Sequence, residues 1–111
     1  MTAEPAGPER LRYIFEAGVV GTGLWPEGVD SPYGYPAEPS RLPIGAGLAA
    51  ELDELSVWFQ TSVDWDYPPD PSPWSGEEKD RFNARARAAL DALRAELGPR
   101  WTVVDGFRPV D

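Results

Sequence analysis

"SGEEKDRFNARARAALDALRAELGP", Ser75 to Pro99, is the stretch on which the fold turns, because it carries both ends and the buried face of one helix. Phe82, Ala86, Ala89, Leu90, Leu93 and Leu97 recur three or four residues apart and fill an arc of about 100°, the width of a helix lying on a core. Ser75 and Glu78 match the S-x-x-E capping box, and Gly98-Pro99 stops the helix. Arg81 and Arg85 fall on one flank of the arc, Arg87 and Arg94 on the other with Asp91 between them. The spacing pairs Glu77 with Arg81 and Arg87 with Asp91, which predicts a solvated, self-paired face rather than an anion site.

Working outward, the thirteen prolines avoid residues 44–67 and 74–98, so a second helix has room before the first. In "GLAAELDELSVWFQTS", Leu48, Leu52, Leu55 and Phe59 share one face. Two extended segments flank the pair. "LRYIFEA" alternates Leu11, Tyr13, Phe15 and Ala17 against Arg12, Ile14 and Glu16, and "WTVVDGF", Trp101 to Phe107, is β-branched and aromatic after the helix stop. A further strand fits between Gly18 and Pro26, with its glycines marking a turn or bulge. The expected fold is a two-layer α+β domain: two amphipathic helices packed on a small, mainly antiparallel sheet, with long Pro/Gly-rich loops. Phe59, Phe82, Leu90 and Leu93 are expected to face one another in its core. Residues 1–8 read as a loose tail and 9–111 as a single domain. Residues 24–43 hold five prolines without periodicity. Their Trp25, Tyr33 and Tyr35 either lid the small core or bind a partner.

The chain has no cysteine and no histidine, which removes disulfides, thiolate chemistry, the usual general base near neutral pH and the commonest metal ligand. Its net charge of −9 is unevenly placed: residues 1–70 carry twelve acidic and three basic side chains, residues 71–111 seven of each. Such a surface repels phosphate, which speaks against nucleic acid or an anionic membrane and for a protein partner with a basic surface. Acidity also serves solubility alone. Without a charged leader or an apolar run of about 20 residues, the expected location is cytoplasmic.

Motifs for catalysis fail on inspection. A calcium loop starting at Asp64 would need glycine where Pro69 stands and a bidentate acid where Ser75 stands. The dinucleotide pattern opened by Gly21 and Gly23 meets Pro26 in place of its third glycine. Asp64 and Asp66, two apart, point to opposite sides of an extended segment and make a poor acid-base pair. No metal, no cofactor and no catalytic residue is therefore expected.

What stands out is "VDWDYPPDPSPWSGEE", Val63 to Glu78, with three aspartates, two tryptophans, a tyrosine and four prolines. Aromatic rings between carboxylates on a proline-stiffened support have the composition of a docking surface for a basic patch. On the preceding helix Glu51, Glu54 and Trp58 share one flank. The candidate partner-binding residues are thus Glu51, Glu54, Trp58, Asp64, Trp65, Asp66, Tyr67 and Asp70. The competing reading folds Trp65 and Trp74 back over the groove between the helices.

The pattern "RLPI…L..EL..LSVWFQTSVDWDYP…W…RFNARA…L..LRAELG..W.V", over residues 40–105, resembles a group of small acidic bacterial proteins, some of which are immunity partners of secreted toxins. The resemblance implies a non-enzymatic protein-binding module, most concretely an immunity protein that neutralises a cationic toxin by occlusion. The alternatives are a structural or regulatory accessory protein and, more distantly, a small enzyme.

Overall fold

The computed structural model describes residues 9–20 and 23–111, so the expected tail, residues 1–8, lies outside them. The elements in chain order are β1 (Glu9–Tyr13), β2 (Leu24–Pro26), a 3-10 turn (Pro39–Arg41), α1 (Ala46–Gln60), α2 (Gly76–Leu97) and β3 (Trp101–Asp105). The strands form one sheet in the order β2-β1-β3. β1 pairs antiparallel with β2, Arg12 opposite Trp25, and parallel with β3, Arg12 opposite Val104. The α+β arrangement is the expected one, but the sheet is mixed, and its longer pairing is parallel. Alternation shows which face of a strand is buried and carries nothing about its sense. Gly98, at φ +81, ends α2 and turns the chain straight into β3, which then lies parallel to β1.

Both helices form where the apolar spacing and the absence of proline place them. Ser75 caps α2 by accepting the Glu78 N–H at 3.1 Å, with Glu77 and Glu78 at the positive end of the helix dipole. The two helices run antiparallel. Glu96, near the end of α2, accepts the Gly45 N–H at the start of α1 (2.7 Å), and Glu78, near the start of α2, accepts the Trp58 indole N–H near the end of α1 (2.9 Å).

Leu48, Leu52 and Leu55 of α1, the whole expected arc of α2, and Leu11, Tyr13 and Val103 of the sheet are buried together. Tyr13 Oη donates to Ala86 O at 2.7 Å, joining β1 to the middle of α2. Phe15 stacks on Phe59 at 5.8 Å and meets Phe82 edge-on at 5.6 Å. Phe82, Leu90 and Leu93 are buried as expected, whereas Phe59 is half-buried at the rim.

The alternation expected over 11–17 stops at Tyr13. Ile14 and Phe15 are both buried, while Ala17 is exposed, because the chain leaves the strand there and turns at Gly18 (φ +87). Gly23 is required on the return, since a Cβ would come within 2.9 Å of the Phe15 ring.

The 24–43 segment, read as one loop, opens with β2 and includes the 3-10 turn, and two of its three large rings lie against the sheet. Trp25 donates to Ile14 O (3.0 Å), Tyr33 lies 5.2 Å from Trp101, and Tyr35 rests on Trp25 but stays 47% exposed. On α2, Arg81 does pair with Glu77 at 3.2 Å. Arg87 does not turn to Asp91: it reaches Asp105 of β3 at 3.6 Å and lies over the Phe107 ring, 5.1 Å from its centroid. A contact across the fold that adds a ring outcompetes one along the helix.

Candidate interaction surface

The eight candidate residues fall into two groups that the structure treats differently. Glu51 and Glu54 face α2, where Arg85 takes both. Its Nε and Nη2 bond the two Glu51 oxygens at 3.1 and 2.5 Å, and Nη2 also reaches Glu54 Oε1 at 2.6 Å. The Glu51 hydrogen bonds first, then those of Glu54, hold the guanidinium above its ordinary pKa. Arg85 also lies over Trp58, 5.3 Å from the ring centroid. Trp58 is in turn packed edge-on against Phe82 at 5.2 Å and against Trp74 at 5.6 Å. This flank is a set of mutual partners between two helices, in which one guanidinium is shared by two carboxylates that stay partly in water.

The second group stands in solvent except for Asp64, which is half-buried. Asp64 Oδ1 accepts the backbone N–H of Asp66 (3.1 Å) and of Tyr67 (3.3 Å), an Asx turn that bends the chain immediately after α1. Trp65 is 53% exposed, yet its indole N–H donates to Gln60 O, the last carbonyl of α1, at 2.8 Å. Tyr67 is 60% exposed, and Asp66 and Asp70 are exposed beside it. Prolines 68, 69, 71 and 73 then carry the chain to Trp74, which is buried and donates to Thr61 Oγ1 at 2.8 Å. The loop is therefore closed at its base by a tryptophan folded into the core and open at its tip. Of the two rings offered for the groove between the helices, Trp74 enters it and Trp65 does not.

Arg85, Gln60, Thr61 and Glu78 were not singled out from the sequence as parts of this surface. The roles of Arg85 and Glu78 depend on how α1 lies against α2, and those of Gln60 and Thr61 on how the turn after β1 and the loop before α2 return to the end of α1; no spacing within one helix reports either. Among the described residues no three carboxylates come together as metal ligands, and no helix is long and apolar enough to cross a membrane.

A family model described as Serratia CdiI immunity protein-like matches residues 10–105. The chain belongs to that family. The match takes in β1 and β2 as well as the helices, so it spans the whole arrangement described above. No curated protein matches the chain. Membership of the family supports an immunity role, in which the chain binds a toxin as a partner and acts by binding rather than by catalysis.

Proposed function

We propose that the chain is an immunity protein that binds a toxin with a basic surface and neutralises it by occluding its substrate site. The contact is the acidic, aromatic surface formed by Asp64, Trp65, Asp66, Tyr67 and Asp70, with Glu51, Glu54 and Trp58 as its shoulder, still net acidic after Arg85 is shared between the two glutamates. One observation carries the reading: Trp65, half in water, is tied to the end of α1 by its indole bond to Gln60 O. A ring exposed to solvent but tethered by such a bond loses less entropy than a free one when a partner covers it. The flanking carboxylates add steering toward a cationic partner, and the net charge of −9 extends that attraction before contact. The same charge opposes nucleic acid and anionic membranes as ligands.

The test is capture of the partner from the native host with the tagged chain, followed by growth protection. A protein with a secreted-toxin domain should be recovered, and the chain should restore growth to cells expressing that domain. Recovery of a toxin whose lethality the chain leaves unchanged would overturn the proposal.

A further inference from the structure

Gln60, the last residue of α1, joins three segments of the chain, its side chain holding the turn after β1 and its backbone carbonyl the loop that follows. Its amide donates to Glu16 O (3.1 Å) and Val19 O (3.0 Å), its Oε1 accepts the Gly18 N–H (2.6 Å), and its own carbonyl accepts the Trp65 indole N–H. The turn after β1, the end of α1 and the loop that follows are thereby held together, though Gly18 and Gln60 stand 42 residues apart. Each segment brings an apolar side chain that stays in water: Val20 is 61% exposed, Val57, about one helical turn before Gln60, 52%, and Trp65 53%. Exposed carboxylates of the same segments, Glu16, Asp53 and Asp66, flank them. Arg108 lines a cleft with Glu16 and Ala17, so one cation borders the rim on that side. Apolar groups with an acidic rim have the anatomy of a protein hot spot for a cationic partner, in which the rim steers and the centre excludes water.

We infer that Val20, Val57 and Trp65, gathered around Gln60, form the apolar centre of the toxin-facing surface and receive an apolar side chain flanked by lysine or arginine on the toxin. Gln60 is a positioning residue there. This rests on the immunity reading and extends it from the Asp-Trp loop to α1 and the turn after β1.

The experiment uses the full chain and the toxin recovered with it, made recombinantly, with the equilibrium constant measured per folded molecule. Val20→Asp and Val57→Asp should each weaken binding about tenfold or more, chiefly by faster dissociation. Val29→Asp and Val104→Asp, at valines also exposed to water (72% and 39%) but on the long loop and on β3, should stay within about twofold of the parent. Gln60→Glu keeps the acceptor for the Gly18 N–H and loses both amide donors. It should weaken toxin binding of the folded protein, whereas a merely structural role would lower the melting temperature and leave that constant alone. If Val20→Asp and Val57→Asp bind like the parent while Trp65→Ala does not, the patch is refuted and the immunity reading stands. If the parent chain itself fails to bind the toxin, the immunity reading is what falls.

Discussion

Tyr13 shows at the scale of one residue how this fold carries a polar atom into its core. Its ring is fully buried and its hydroxyl is bonded to Ala86 O, so Tyr13→Phe should cost about 1 kcal/mol by loss of that bond, measured by urea unfolding. Burial first, then the negative charges of Glu51 and Asp105, raises the Tyr13 pKa well above the ordinary tyrosine value. The folded state therefore favours the neutral phenol. Its contribution to stability is complete below about pH 10, where an unfolded tyrosine begins to ionise, and is lost as pH rises toward the folded value. Stability measured between pH 9 and 11.5 should fall more steeply for the parent than for Tyr13→Phe. Equal slopes would show that Tyr13 is not the group responsible. Arg85 offers the contrasting case of a charge at the surface: Arg85→Gln should cost no more than about 1 kcal/mol, and less in high salt, because its carboxylate partners remain accessible to water.

The elements were legible in the sequence to the degree that each is determined by its own residues. The arc of α2, its cap at Ser75 and its stop at Gly98 all stand where spacing put them, and so does the apolar face of α1. The sense of β3, the end of β1 at Tyr13 and the partners of Arg85 and Arg87 depend instead on how elements meet, which periodicity does not encode. The candidate surface divides along the same line. Residues 64–67 form a local turn in which Trp65, Asp66 and Tyr67 are exposed and Asp64 is half-buried, while the Glu51-Glu54-Trp58 flank packs on α2. Two substitutions test this account of α2. Phe82, fully buried among Phe15, Phe59, Trp58 and Trp74, should cost about 3–5 kcal/mol when changed to Ala. Ser75→Ala should cost about 1 kcal/mol through the lost cap, with little change in the slope of denaturant unfolding. Similar shifts in melting temperature for the two would contradict the assignment of Phe82 to the centre of the core.

At the scale of the whole molecule, one face of a small sheet is covered by two helices, and the end of α1 holds an acidic, aromatic loop against solvent. The charge asymmetry belongs to this scale too, since the excess of acid lies wholly in residues 1–70, which include α1 and that loop. Steering acts before contact and an anchored ring must be extracted for dissociation, so the two kinds of residue should separate kinetically. The measurement that tests the central claim most directly is the association and dissociation rate of the complex with its toxin, at low and at physiological salt. Asp64→Asn with Asp66→Asn preserves an oxygen acceptor for the Asx turn while removing charge, and should slow association, most of all at low salt. Trp65→Ala should leave the protein folded and cost about 2 kcal/mol or more, expressed in the dissociation rate. The contradicting result would be a Trp65→Ala protein that unfolds while binding per folded molecule is unchanged, which would make the loop a cover for the core and not a surface for a toxin.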